Sequence, residues 1–148
     1  MPHFTLQIAP GGPILTAAVT VSEARAAALR ASGKPVPDVV PIQALVDTGA
    51  SCTCVDPSVL AALMLSPTGS VRINTPSTGN QPQDADQYDV GLAIPGPLGA
   101  IPLYLATVPV VAAELLQQHQ IHALIGRDIL SACVLVYNGT MGWFTLAF

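Results

Sequence analysis

The chain has 148 residues, of which 51% are hydrophobic and only 9% are charged, and its formal net charge is -4. This length fits one domain with a single core, so we expect a single domain over residues 1–148. Five scattered Lys and Arg residues do not provide the basic surface that nucleic-acid binding needs, and polar residues interrupt every apolar run before it could span a membrane.

The first elements are two strands and a helix. Strand-like stretches at 4–8 and 14–21 are separated by Pro10-Gly11-Gly12-Pro13, which is a strong turn signal. The stretch 22–30 is rich in Ala and begins with Ser22, a residue type that often caps helices. We therefore predict a short helix after the second strand.

The next segment carries an unusual carboxylate. An apolar strand is predicted at 39–46, and Asp47-Thr48-Gly49-Ala50 follows it directly. A carboxylate at a tight turn where a buried strand ends is costly, so a fold keeps it only where something satisfies or uses it. A short strand at 52–55 and a helix at 58–64, capped by Asp56, are expected next.

The middle of the chain reads as strands around one polar loop. Strands are predicted at 71–74, 87–94 and 100–107. The run between the first two, from Thr75 to Asp86, is turn-rich and poor in bulky residues, which indicates a mobile loop.

A second motif and two final strands complete the pattern. A helix is expected at 110–119, followed by Ala123-Leu124-Ile125-Gly126-Arg127-Asp128 and by strands at 134–137 and 143–148. Asn138-Gly139 is a turn signal between those two strands. Many short strands with turns between them indicate an all-β barrel or sandwich.

Two motifs together carry a family resemblance. Leu45-Val46-Asp47-Thr48-Gly49-Ala50 and Leu124-Ile125-Gly126-Arg127-Asp128-Ile129-Leu130 resemble the catalytic loop and the downstream strand of the retropepsin-like aspartic proteases. The resemblance implies an all-β fold, a closed barrel of the retropepsin or acid protease type with one or two short helices and one lobe per chain. It makes 22–37 an inserted loop with helical character and places the flap, a hairpin that closes over bound peptide, at about 75–86.

The resemblance also implies a function. Pepsin-type enzymes carry two Asp-Thr/Ser-Gly loops, whereas this chain carries one, so the second carboxylate must come from a second copy. The expected activity is that of a homodimeric aspartic endopeptidase that needs no cofactor or metal and acts on polypeptides. Two carboxylates that share a proton supply a base and an acid to the water between them. The implied catalytic residues are Asp47, Thr48 and Gly49, and the implied substrate-binding residues are Leu45, Ala50, Thr78, Gly79 and Leu124.

Two further expectations follow from the retroviral members of that family. Their two chain termini interleave in a four-stranded sheet between subunits, so we expect 3–6 and 144–148 at the dimer interface. Their Arg in the downstream motif pairs with an Asp where this chain has Ser51. Arg127 must therefore find another partner, such as Asp56 or Asp128, or point to solvent.

Other readings stay open. A zinc site could be drawn from Cys52, Cys54, His119, His122 and Cys133, although their spacing matches no known finger. Catalysis by Cys and His lacks a setting that would activate a thiol. A catalytically silent retropepsin-like dimer that binds peptides or assembles a complex is the main alternative, since fold does not certify function. Three cysteines and no evident secretory signal predict reduced thiols and a cytoplasmic protein.

Overall fold

The computed structural model describes residues 1–73 and 82–148, which form ten strands and four short helices. The strands are β1 (His3–Gln7), β2 (Ile14–Val21), β3 (Val40–Val46), β4 (Cys54–Val55), β5 (Gly69–Ile73), β6 (Gln83–Ile94), β7 (Leu103–Ala112), β8 (Ala123–Ile125), β9 (Val134–Asn138) and β10 (Trp143–Ala147). The helices are α1 (Glu23–Ala31), α2 (Pro57–Ala62), α3 (Leu116–His119) and α4 (Arg127–Leu130).

Six strands close into a barrel. Their order is β2-β3-β8-β4-β7-β6, and β6 pairs with β2 to complete the ring, while β5 pairs with β6 outside it. Most pairs are antiparallel, but β3 with β8 and β4 with β7 are parallel. The predicted all-β closed barrel with few short helices is therefore confirmed.

Alternation of side chains explains how these strands enclose a core. In β2, Leu15, Ala17, Val19 and Val21 are buried and the residues between them are not, as expected for strands with one face inward. Phe144 of β10 belongs to the same cluster of buried side chains, so the barrel and the terminal strands share one core.

The terminal strands form a separate three-stranded sheet in the order β1-β10-β9. β10 pairs along its whole length with β1 on one side and with β9 on the other. Within this sheet of the described chain, β10 therefore offers no free edge for the expected interleaving with a partner's C-terminal strand, and only β1 and β9 have open edges. Phe144 and Leu146 are fully buried, so deleting 144–148 would remove core side chains.

The helix predicted at 110–119 is wrong over most of its length. β7 continues through Pro109 to Ala112, and only Leu116–His119 are helical. Val110 and Val111 are buried and pair with β6, and Val111 also pairs in parallel with Cys54. Their β-branched side chains suit a strand, and these long-range pairings outweigh the weak helical spacing of the sequence.

Only part of the predicted flap at about 75–86 lies within the described residues. β5 and β6 pair antiparallel from Gly69 with Gln87 to Ile73 with Gln83, so 83–86 are strand residues. Residues 74–81, which include Thr78 and Gly79, lie outside the described residues.

Across the described residues, no helix combines the length and apolarity needed to cross a membrane.

Candidate active site

Asp47 lies where β3 ends, beside the last residue of β8. Its backbone N–H donates to Ile125 O at 3.0 Å, which continues the parallel pairing of the two strands into the turn. Its Oδ1 accepts a hydrogen bond from Gly49 N at 2.8 Å, and Ala50 N donates to Asp47 O at 3.3 Å. The turn thereby holds the carboxylate in one orientation at a half-buried position.

Arg127 binds the backbone of the same turn. Its Nη1 donates to Thr48 O at 2.9 Å and to Gly49 O at 3.4 Å, and its backbone N–H donates to Ala50 O at 3.0 Å. Neither Asp56 nor Asp128 is its partner among the described residues, because the Arg127 side chain donates to these two carbonyl oxygens and forms no salt bridge there. Arg127 therefore links the downstream strand directly to the loop that carries Asp47.

Thr53 and Asp128 form a second link that the sequence did not reveal. Thr53 is fully buried, and its N–H and Oγ1 donate to the Asp128 carboxylate at 2.9 and 2.8 Å. Gly126 N donates to Thr53 Oγ1 at 3.1 Å, and a Cβ on Gly126 would lie 2.5 Å from the backbone carbon of Cys52. Glycine is required at position 126 because a side chain there would collide with the backbone at Cys52. The sequence signal that could have identified Thr53 as a functional residue was a polar residue inside an otherwise apolar stretch.

Asp56 organises the neighbouring helix and loop. It is 6% exposed and accepts hydrogen bonds from Ser58 N and Oγ, Leu115 N and Leu116 N at 2.6–3.0 Å. Burial alone would raise the pKa of this carboxyl group, but these hydrogen bonds outweigh it and lower the pKa to about 2. Asp56 is thus ionised and fixed, and caps α2 as predicted.

A cavity of about 880 Å³ opens beside Asp47. One wall comes from the Asp47 turn, β4 and β8, and the other comes from β5, β6 and β7. Apolar and thiol side chains form most of both walls, with the two carboxylates of Asp47 and Asp128 among them. The lining residues include Asp47, Gly49, Ala50, Cys52, Cys54, Val71, Ile73, Gln87, Pro109, Val111, Leu124 and Asp128.

The structure brings some of the predicted site residues together and separates others. Gly49, Ala50 and Leu124 line the cavity with Asp47. Leu45 does not line the cavity. Its side chain instead lies close to Gly12, where an added Cβ would be 2.8 Å from Leu45 Cδ1. Thr48 is exposed at the turn. His122, one of the possible zinc ligands, does not line the cavity and accepts a hydrogen bond at Nδ1 from Gln43 N at 3.2 Å.

The cysteines are free thiols and do not form a metal cluster in the described part of the chain. All three are unpaired, and no group of three or more His, Cys, Asp or Glu side chains among residues 1–73 and 82–148 could hold a metal ion. Burial and the nearby Cys52, Asp128 and Asp47 raise the pKa of Cys54 to about 12. A thiol held neutral in this way is a poor nucleophile.

Comparisons with known proteins agree with this architecture. The family model described as aspartyl protease matches residues 31–129, which include the Asp47 turn and the Gly126-Arg127-Asp128 motif. No curated protein matches the sequence. The crystal structure of a retropepsin-like aspartic protease from Rickettsia conorii is similar with a TM-score of 0.58 and 14% identity, over 99% of this chain and 90% of that chain. At that identity the likeness establishes a shared fold.

Proposed function

The chain belongs to the retropepsin-like aspartyl proteases, and we propose that it is an aspartic endopeptidase that acts as a homodimer on polypeptide substrates. Asp47 would supply one of two facing carboxylates, and Asp47 of a second copy would supply the other. The observation that carries the proposal is the position of Asp47, which is held by Gly49 N–H at the edge of a cleft large enough for several substrate side chains.

The proposed chemistry uses one proton shared by the two carboxylates. The ionised Asp47 takes a proton from a water molecule as the water oxygen bonds to the carbonyl carbon of the peptide, and the protonated Asp47 of the other copy gives its proton to the carbonyl oxygen. The resulting tetrahedral intermediate then breaks at the C–N bond, and the amine nitrogen receives a proton from the dyad. Two like charges this close do not both ionise, which keeps one acid and one base in place.

The cleft supports binding of an extended peptide. The paired strands β5 and β6 face the Asp47 turn across the cavity, and Val71, Val111 and Leu124 contribute apolar surface. An extended peptide can pair with strand edges while alternate side chains enter such pockets. We propose Ala50 and Leu124 as substrate contacts, and Thr78 and Gly79 remain predicted flap contacts.

The half-site geometry supports a dimer. Thr48 and Gly49, which follow Asp47 in the turn, are exposed, whereas Val46 and Ile125 behind it are buried. Facing turns on a two-fold axis would bring two copies of Asp47 together and would cover this exposed backbone. The open edges of β1 and β9 offer further surface for the same association, and Val134, Val136 and Tyr137 on β9 are 46–58% exposed. The free thiols agree with a reducing, cytoplasmic location, which is part of the proposal.

Replacing Asp47 by Asn tests the proposal. The wild type, Asp47→Asn and the control Asp38→Asn, which makes the same change in an exposed loop, are incubated with an unbiased peptide library and analysed by sedimentation velocity. We expect Asp47→Asn to abolish cleavage while it still dimerises, and Asp38→Asn to cleave like the wild type. Specific activity should rise with protein concentration in the range where dimers form. A wild type that binds peptides without cutting any would favour the silent dimer, and cleavage retained by Asp47→Asn would exclude the proposed chemistry.

A further inference from the structure

The edge strand β9 exposes apolar side chains without the protection that edge strands usually have. Val134, Val136 and Tyr137 are each about half exposed, and the sequence contains no Asp, Glu, Lys or Arg from residue 129 to residue 148. Proteins protect a free strand edge with charged side chains or Pro, because an unprotected edge pairs with other strands. This segment has neither kind of residue, so we expect another strand to cover the edge of β9.

One edge of β9 is available for such pairing. β10 covers the opposite edge along its whole length, and no third strand in the described part of the chain pairs with β9. The open edge of β1, on the far side of the same sheet, is different. Pro2 and the titratable His3 lie at its start, and Leu6 is the one exposed large hydrophobic residue of β1. β9 is therefore the better surface for another strand.

β9 also begins close to the turn that carries Asp47. Arg127 Nη1 donates to Thr48 O at 2.9 Å, and a helical run of backbone hydrogen bonds continues from Gly126 O to Cys133 N. At the rise of such a run, the start of β9 is within about 15 Å of Arg127. A typical interface buries about 800 Å² on each partner, which is a patch with a radius of about 16 Å. One patch of this size can include both the exposed turn and the edge of β9.

Antiparallel pairing of β9 with itself places apolar side chains opposite each other. Two strands centred on Val136 pair all five residues of each copy, with Val136 opposite Val136 of the second copy and Leu135 opposite Tyr137. Val136 and Tyr137 lie on opposite faces of the strand, so both faces of the joined sheet gain apolar contacts. No charged side chain on β9 opposes this arrangement.

We propose that β9 pairs antiparallel with β9 of a second copy, which joins the two terminal sheets into one six-stranded sheet across the two-fold axis of the dimer. Because β1 and β10 pair within one chain, this contact takes the place of the interleaving expected for 3–6 and 144–148. A five-residue strand spans only about 17 Å, so the exposed Asp47 turns complete the interface. That this dimer assembles the active site rests on the proposed function, whereas the association of the two strands does not.

A charge placed on the two-fold axis tests the pairing. Val136→Lys brings two ammonium groups opposite each other, and Val136→Glu brings two carboxylates together. We expect each variant alone to raise the dimer dissociation constant about 100-fold or more in sedimentation equilibrium, because like charges then face each other where water is excluded. An equimolar mixture of the two variants should form the heterodimer, because the ammonium group then faces the carboxylate. Peptide cleavage should be lost in each variant and should return in the mixture.

Matched variants keep the result specific. Thr5 is the exposed central residue of β1, and Thr5→Lys and Thr5→Glu should dimerise like the wild type. Circular dichroism checks that each variant is folded. A second measurement places no charge in the sheet: in a Cys133→Ser background, Val136→Cys should form a covalent dimer on mild oxidation. The Cys133→Ser parent and Thr5→Cys in the same background should form none.

The outcomes separate this inference from the proposed function. Wild-type dimer affinity in Val136→Lys, no heterodimer from the folded Lys and Glu variants, or no covalent dimer of Val136→Cys would overturn the inference. A dimer that forms through β9 and cleaves no peptide would instead count against the proposed function. Cleavage by a dimer that Val136→Lys leaves intact would support the proposed function and contradict the pairing of β9.

Discussion

Asp128 provides a direct test of how the loop that carries Asp47 is held. Its carboxylate accepts hydrogen bonds from Thr53 N at 2.9 Å and from Thr53 Oγ1 at 2.8 Å, and Thr53 is fully buried. A hydrogen bond to a charged group contributes about 1.5–3 kcal/mol. Because Asp128 itself is exposed, we take the lower end for each bond, so Asp128→Ala should lower the free energy of unfolding by about 3 kcal/mol. Most of this loss arises because the Thr53 N–H is left buried without a partner.

An Asn at the same position separates hydrogen bonding from charge. The Asn carbonyl oxygen can accept from Thr53 N, and its amide can donate to Thr53 Oγ1 if that hydroxyl rotates. Asp128→Asn should therefore lose only about 1 kcal/mol. Urea unfolding followed by the fluorescence of Trp143, the single Trp of the chain, measures both values. Peptide cleavage should fall in the same order, since the loop that carries Asp47 is released progressively.

The exposed Asp38 supplies the control, and Asp38→Ala should change the free energy of unfolding by less than about 0.5 kcal/mol. If Asp128→Ala costs less than about 1 kcal/mol, or if the Ala and Asn variants are equally stable, the carboxylate does not hold the loop through Thr53.

Two more predictions concern the same region. The pKa of Asp56 is about 2 in the folded protein, against 3.8 in the unfolded chain. The ionised carboxylate therefore adds about 2 kcal/mol to the free energy of unfolding above pH 4, and this contribution is lost as the pH falls from about 4 to about 2. In Asp56→Asn, the free energy of unfolding measured in urea from pH 6 to pH 2.5 should fall less steeply with decreasing pH than in the wild type. An unchanged pH dependence would contradict the assignment. Arg127→Ala frees Thr48 O and Gly49 O, so kcat should fall about tenfold or more with KM nearly unchanged, and Arg127→Lys should recover part of the loss. A rise in KM alone would instead indicate a substrate contact for Arg127.

The sequence predicted the parts of the site whose residues are close together in the chain. The turn at Asp47 follows from an apolar strand that ends at Asp-Thr-Gly, and β2 spans the predicted 14–21 because its side chains alternate. The contact between Thr53 and Asp128 joins residues 75 positions apart, and no local pattern encodes it. The helix expected at 110–119 failed for the same reason, since the partners of β7 on β4 and β6 are distant in sequence and decide its conformation.

The buried polar residues are few, which explains why single hydrogen bonds between the loops and the barrel matter in this fold. In the part of the chain that the structure describes, the buried polar and charged residues are Ser22, Thr53 and Asp56, and no buried side-chain nitrogen or oxygen there lacks a partner. Each one ties a loop or helix end to the barrel. Ser22 caps α1, Thr53 binds Gly126 and Asp128, and Asp56 caps α2 and holds the backbone at Leu115 and Leu116. A barrel built almost wholly from apolar contacts tolerates changes of similar volume in its core. Loss of the Thr53 hydroxyl would remove its hydrogen bonds to Asp128 and Gly126 at once, so we expect the orientation of Asp47 to depend more on Thr53 than on any one core side chain.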